Sequence, residues 1–345
     1  MSPLSAQWED FTVAVPLEQT NESELPPVED ASAFIDEKIE LPSDVIEGVL
    51  HAGGKAVLGG GSKTFKTWQQ LDVLTSVSTG TPWLGFNTRQ GRVLYINLEL
   101  EARFCRKRIQ EVFRAKAVRP LPGQFHVWNL RGFAMDIDVL IPKILVQIKV
   151  CAGIGYALID LDPIYKLFGQ YCDENKTSDI ARMCNALEGL AVQSGAAVLF
   201  GHQYSKGNQS AKDPIDRTSG SGVFGRDPDT ILNFTRHEED DAYTVDPILR
   251  NHPQLAPFVV SWRYPLMVRD DNLDPTRLKQ TGGRPRAATQ GQLLALLDEK
   301  RLRVKEWQKR AQKELGISER TFYRMKGELE NASRVESTAG EWYRK

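Results

Sequence analysis

Leu58-Gly59-Gly60-Gly61-Ser62-Lys63-Thr64-Phe65-Lys66-Thr67 joins an apolar segment, Ala56-Val57-Leu58, to a stretch of helical period from Trp68 to Thr79. Strand, glycine-rich turn and helix form a layout in which backbone N–H groups and a helix N-terminus converge on a phosphate. The pattern G-x-x-x-x-G-K-[ST] fits in register, with Gly60 as first glycine, Lys66 as lysine and Thr67 as hydroxyl residue. Phe65 stands where the second glycine belongs. A phenylalanine resists the positive φ that glycine takes freely. The loop is therefore expected to follow another path there, or to have Phe65 packed beneath it. Gly60, Gly61, Ser62, Lys63, Thr64, Phe65, Lys66 and Thr67 are the candidate phosphate-binding residues. Lys66 would neutralise β- and γ-phosphate charge and Thr67 would ligate Mg²⁺. Glycine-rich turns also occur without nucleotide, and for Lys63 a solvated loop lysine is the plainer reading.

Working outward, the chain alternates β-prone and helical segments. Arg92–Leu98, Gln124–Trp128, Tyr156–Asp160 and Ala196–Phe200 read as buried strands, while Glu101–Ala115, Asp138–Cys151 and Thr177–Ser194 read as helices. Thr230–Phe234, Tyr243–Leu249 and Phe258–Trp262 suggest a hairpin-rich extension, and Val45–Leu50 a short helix capped by Ser43-Asp44. The alternation predicts an α/β domain with a mostly parallel central sheet.

Polar groups fall at the strand ends, where such sheets place their ligands. Tyr156-Ala157-Leu158-Ile159-Asp160-Leu161-Asp162 is an apolar strand ending in carboxylates. Asp160 and Asp162 share strand parity, so either can face the magnesium. Glu99 follows the second strand and is a candidate base for the attacking water, with Glu101 as the acid of the next helix start. His202, in Phe200-Gly201-His202-Gln203, is a candidate contact to γ-phosphate. Arg226, after the Gly/Ser turn Ser219–Gly222, is a candidate arginine reaching a neighbouring subunit's site, with Arg236 in reserve. Each has a plainer role: cap, core histidine or surface ion pair.

The bulk numbers bound these readings. At 345 residues, 41 % hydrophobic and 26 % charged, a large domain plus a small one is expected. No run approaches 18 apolar residues, so no transmembrane helix is expected, and the N-terminus has no signal-peptide pattern. Four scattered cysteines read as reduced thiols of a cytoplasmic protein. The net charge of −1 conceals an asymmetry, with twelve Asp/Glu against one Lys in residues 1–50 and fifteen Lys/Arg against nine Asp/Glu in residues 284–345. Nucleic acid, if bound, is expected at the basic end.

That end reads as a separate unit. Residues 1–40 form an acidic arm expected to be disordered, 41–270 the ATPase domain, 271–289 a linker and 290–345 a winged helix-turn-helix. Gln290–Arg301 and Val304–Leu315 are amphipathic helices, Gly316 closes the second, and Ser318 opens a third that runs to about Glu330. Ser318, Arg320, Thr321, Tyr323, Arg324 and Lys326 on that helix are the candidate DNA-binding residues. Arg334–Tyr343 reads as a β-hairpin wing.

With these segments assembled, residues 41–240 resemble the RecA-like P-loop ATPases of the RepA-like group, typified by a plasmid hexameric replicative helicase. The resemblance rests on Gly60–Trp68, Val93–Glu99, Leu158–Pro163, Asp173-Glu174-Asn175, His202 with Lys206, and Gly220–Gly222. It implies ATP and Mg²⁺ as ligands, DNA as partner and self-assembly into a ring. Members with S-K-x-x-K-T loops would account for Phe65. The resemblance also favours Asp162, in Asp162-Pro163, as the metal acid, and places the group's glutamate at Glu99, its strand-end histidine at His202 and its finger at Arg226. The C-terminal unit departs from the compact helicase and suits attachment of an ATPase to a DNA site. The competing reading is a site-specific DNA-binding regulator switched by ATP without helicase activity. A small-molecule kinase fits less, because it leaves the basic C-terminal helices unexplained.

Overall fold

The computed structural model describes residues 28–133, 135–152, 155–168, 176–203, 223–279, 290–297 and 301–344. Residues 1–27 of the expected arm, Asp173–Asn175, Lys206 and the Ser219–Gly222 turn lie outside them. The chain divides into two compact units, 1–41 and 42–345. In the first, residues 28–41 are exposed and hold one 3₁₀ turn, Ala31–Ala33, capped by Asp30.

The second unit is built on a nine-stranded sheet. Its parallel part contains β3 (Lys55–Gly60), β4 (Val93–Asn97), β5 (Phe125–Asn129), β6 (Leu158–Asp162), β7 (Ala197–Gln203) and β8 (Thr230–Arg236). Antiparallel β9 (Ala242–Leu249), β10 (Phe258–Arg263) and β11 (Leu266–Arg269) extend it, in the order β11-β10-β9-β8-β3-β7-β6-β4-β5. The helices between strands are α1 (Lys66–Thr79), α2 (Ala102–Ala115), α3 (Ile137–Ala152) and α4 (Thr177–Ser194). Fold class, helix positions and the antiparallel extension agree with the sequence expectation, and β11 adds a strand to it.

Both faces of the sheet are covered, which is why its strands are apolar at every position rather than at alternate ones. Val93 and Tyr95 of β4 enter a core shared with Leu71, Val73 and Leu74 of α1, whereas Leu94 and Ile96 enter a second core with residues of α3 and α4. The same alternation runs through β6 and β7. Leu158 and Leu199 face the first core, and Ile159, Leu161, Val198 and Phe200 face the second. This phase decides which strand-end side chains meet α1.

Two expectations are corrected. Val45–Leu50 is not a helix but an antiparallel pair, β1 (Asp44–Ile46) and β2 (Leu50–His51). Gly48 turns the chain at φ 65°, and the Asp44 carboxylate accepts its N–H at 2.8 Å. A segment this short, rich in β-branched residues, gains more from such a turn than from helix nucleation. The expected linker is also partly anchored. The Arg236 carbonyl accepts the N–H of Lys279, Glu238 donates its N–H to Arg277, and Thr244 donates its hydroxyl to Pro275. Residues 280–289 lie outside the described residues.

The C-terminal residues carry their own apolar cluster, with Leu293, Trp307, Phe322, Met325 and Leu329 at its centre. It is enclosed by α5 (Gln290–Ala295), α6 (Val304–Leu315) and α7 (Glu319–Asn331). A small sheet completes it, formed by β12 (Leu302–Arg303), β13 (Val335–Thr338) and β14 (Glu341–Arg344) in the order β12-β14-β13. Gly316 ends α6 at φ 63° and Ser318 caps α7, as the sequence predicts.

Candidate functional site

The phosphate loop leaves β3 and enters α1 in a conformation set by close fits. A side chain at Gly60 would collide with Thr64, since a Cβ there would lie 2.5 Å from Thr64 Oγ1. Thr64 is buried and donates its hydroxyl to the Gly61 carbonyl at 2.9 Å. Phe65 takes φ 58°, the left-handed conformation of the glycine it replaces, and Lys63 takes φ 60°. The expectation that Phe65 would avoid positive φ is thereby overturned, while packing of its ring holds. The ring stacks on Trp262 of β10, with centroids 4.0 Å apart at 9°, and meets Tyr243 edge-on at 6.2 Å. Such a left-handed residue costs on the order of 1 kcal/mol, and a ring contact of this kind offsets a similar amount.

Lys66 opens α1 and donates to the Gly60 and Gly61 carbonyls at 3.0 and 2.8 Å. Burial brings its ammonium down to about 8, against the opposing pull of Asp162 and Glu99. Thr67, one residue on, donates its hydroxyl to Asp162. Tyr95, fully buried in β4, donates to the same carboxylate at 2.9 Å. Burial raises the Asp162 carboxyl, and these two hydrogen bonds oppose the rise.

Because β3, β4, β6 and β7 run parallel, their C-terminal ends share one edge. There a cleft of about 620 Å³ is lined by Ser62–Trp68, Glu99, Leu100, Arg108, Asp162, Pro163, Tyr165, Gly201 and Gln203. Glu99 sits in the turn after β4, and the Asn97 side chain shapes that turn by accepting the Leu100 N–H at 2.8 Å and donating to the Leu100 carbonyl at 2.8 Å. The Tyr165 hydroxyl reaches Glu99 at 3.4 Å. Glu101 caps α2 by accepting the N–H groups of Arg103 and Phe104 at 2.9 and 3.4 Å, as the sequence suggests.

Thr67 and Asp162 fit a magnesium ion. They offer a hydroxyl and a buried carboxylate, the oxygen set that Mg²⁺ completes with phosphate oxygens and water. Asp160, the other candidate ligand, is fully buried and does not line the cleft. It accepts a hydrogen bond from the Gln70 side-chain amide of α1 at 2.8 Å, and burial with the nearby Asp162 raises its carboxyl well above the usual range. A side chain at Gly201 would crowd this contact, because a Cβ there would come within 2.8 Å of Gln70 Oε1.

His202 is placed differently from the expectation. Strand β7 runs on to Gln203, so Gly201 and Gln203 face α1 and the cleft while His202 faces the opposite core. Its ring lies 4.3 Å from that of Phe224. Arg226 is exposed and precedes β8, whose Thr230 pairs with Ala56 at the start of β3, so it lies at the sheet edge opposite the phosphate loop. Arg236 ends β8 two residues beyond Phe234, the partner of Gly60, and shares the loop's edge.

On α7 the candidate groups divide. Arg320, Tyr323 and Arg324 are set apart from the buried side of the helix. Ser318 and Thr321 are bonded to each other, their hydroxyls 2.9 Å apart, as part of the cap. Lys326 points elsewhere, lying 3.7 Å from the Trp342 ring centroid and 2.8 Å from Glu330, so it does not join the exposed face.

Sequence reading misses Tyr95, Asn97, Arg108, Tyr165 and Gln203. Arg108 sits 5.0 Å above the Trp68 ring, in the second turn of α2. The signal available for Tyr95 and Gln203 is strand parity with Asn97 and Gly201 at the edge.

A family model described as an AAA domain matches residues 19–209, more than half of the chain. No curated protein sequence matches it. Among solved structures the chain is similar to one described as the ATPase domain of a larger protein, at 12 % identity and a TM-score of 0.48, over 65 % of this chain and 86 % of that one. The chain belongs to the AAA-domain family, and is a P-loop ATPase built on a RecA-like core.

Proposed function

We propose that this protein hydrolyses ATP with Mg²⁺ and works on DNA, as a RepA-like helicase or replication ATPase of a plasmid, phage or mobile element. The observation that carries the reading is the meeting of Lys66, Thr67, Asp162 and Glu99 in one cleft at the end of the parallel strands. In this reading Lys66 exchanges the Gly60 and Gly61 carbonyls for β- and γ-phosphate oxygens. Thr67 and Asp162 hold Mg²⁺, which neutralises charge on the phosphates. Glu99 orients the attacking water and accepts its proton. Arg236 stands ahead of Arg226 as the arginine offered to a neighbouring subunit, because it lies at the loop's edge of the sheet. His202 would act indirectly, with Gln203 in the cleft.

The C-terminal unit would be a winged helix-turn-helix that presents Arg320, Tyr323 and Arg324 to DNA, and ATP would bind within a homo-oligomeric ring. That exposed face also supports the second reading, in which ATP switches a site-specific DNA-binding protein without unwinding. Steady-state ATPase with single- and double-stranded DNA, alongside sizing in ATP, separates the two. DNA-stimulated turnover that survives deletion of 284–345 but loses site preference supports the ATPase engine. ATP binding without turnover favours the switch, and failure of any DNA to bind or stimulate would remove the DNA role.

A further inference from the structure

The phosphate loop departs from its motif at Phe65, and the structure shows what replaces the glycine. Phe65 holds φ 58°, a conformation that side chains rarely adopt. Its ring lies nearly parallel on Trp262, 4.0 Å away, and edge-on to Tyr243. Trp262 stands near the tip of the β10–β11 hairpin, and its backbone N–H is fixed to the Asp241 carbonyl at 2.7 Å. Trp68, in the first turn of α1, packs on both Trp262 and Tyr264 of the same hairpin, with centroids 6.0 and 5.5 Å away. The Tyr264 hydroxyl in turn donates to Glu111 of α2.

We propose that Trp262 is a positioning residue for phosphate binding, and that the hairpin tip holds the loop in its binding shape through the Phe65 stack. The inference rests on the ATP reading of the cleft. The Phe65 ring has no polar atom to offer a phosphate. What it adds is a fixed conformation, held by a distant hairpin, where glycine would move freely. Lys66 and Thr67 follow directly, so a change of φ at position 65 swings both away from Asp162. The geometry also makes the hairpin sensitive to loop occupancy, because any rearrangement at residue 65 displaces the Trp262 ring.

The test measures equilibrium binding of a fluorescent, slowly hydrolysed ATP analogue with Mg²⁺ to the full chain. Trp262→Leu, which keeps apolar bulk without a ring, is expected to weaken binding about tenfold, whereas Trp262→Phe keeps it within about twofold. Phe65→Gly is expected to bind well in either background, because glycine takes the left-handed conformation without a stack. Rescue of Trp262→Leu by Phe65→Gly is the signature that a merely structural tryptophan would not give. Trp262→Leu binding like wild type, or a double variant no better than Trp262→Leu, overturns the proposal. Should Trp262→Leu lose its thermal transition, Trp262→Phe against Phe65→Leu carries the same comparison, with loss expected only in the latter. Wild-type protein that fails to bind the analogue at all would instead sink the ATP reading.

Discussion

The cleft at the phosphate loop and the exposed face of α7 both gather charged side chains, in opposite physical states. In the cleft Lys66 and Asp162 are withdrawn from water, and each is held by two hydrogen bonds from or to named partners. On α7 Arg320 lies in solvent, and Arg324 pairs with Glu328 one turn on. Exposed pairs of that kind contribute a few tenths of a kcal/mol, whereas a buried group stripped of its partner costs about 1–3 kcal/mol or more. Single changes in the cleft should therefore be large and specific, and single changes on α7 small and additive.

The sharpest way to break that contrast is to remove the buried ammonium. Lys66→Ala is expected to weaken ATP binding by roughly a hundredfold, since charge-assisted hydrogen bonds to phosphate are lost together. Full ATPase in that variant would dismantle the cleft assignment. Titrating the same group gives a graded form of the experiment. Burial leaves Lys66 at about 8 in the free protein, and a bound phosphate must raise it, so binding above that pH takes up a proton. Affinity should hold below about pH 8 and fall by up to about tenfold per unit above it, and Lys66→Arg, charged throughout, should flatten the slope. An affinity that rises on going more alkaline would contradict the sign.

Tyr95→Phe probes a subtler support. It leaves packing intact but removes one of the two donors to Asp162. The magnesium concentration for half-maximal nucleotide binding should shift by about five- to tenfold, with nucleotide affinity at saturating Mg²⁺ little changed. The smallest effects belong to α7. Arg320→Ala and Arg324→Ala should each weaken DNA binding only a fewfold and shallow its salt dependence by about one unit of slope, with ATPase in the absence of DNA unmoved. A hundredfold loss from either would erase the contrast and make α7 as specific a site as the cleft.

Much of the architecture is legible because local signals and fold agree. Lys66–Thr79 reads as a helix in both, and the capping Ser318 and closing Gly316 mark the ends of α7 and α6 in sequence and structure alike. What is not legible turns on strand phase. The sequence shows β7 as apolar to Phe200, but the strand continues to Gln203 and so turns Gln203, rather than His202, toward α1. Asp160 and Asp162 point to the same face, and only the position of α1 separates them. Gln70 meets the first and Thr67 the second. In sequence Phe65 looks like a defect, because its partner Trp262 lies nearly 200 residues away in a hairpin that no local pattern connects to the loop.

The most direct test of the cleft is Glu99→Gln, assayed in parallel for binding and turnover. The substitution keeps shape and removes only the proton acceptor from the cleft. Binding of ATP with Mg²⁺ within about twofold of wild type, with steady-state hydrolysis reduced by roughly two to three orders of magnitude, is the predicted result. Hydrolysis at the wild-type rate with binding intact would contradict it.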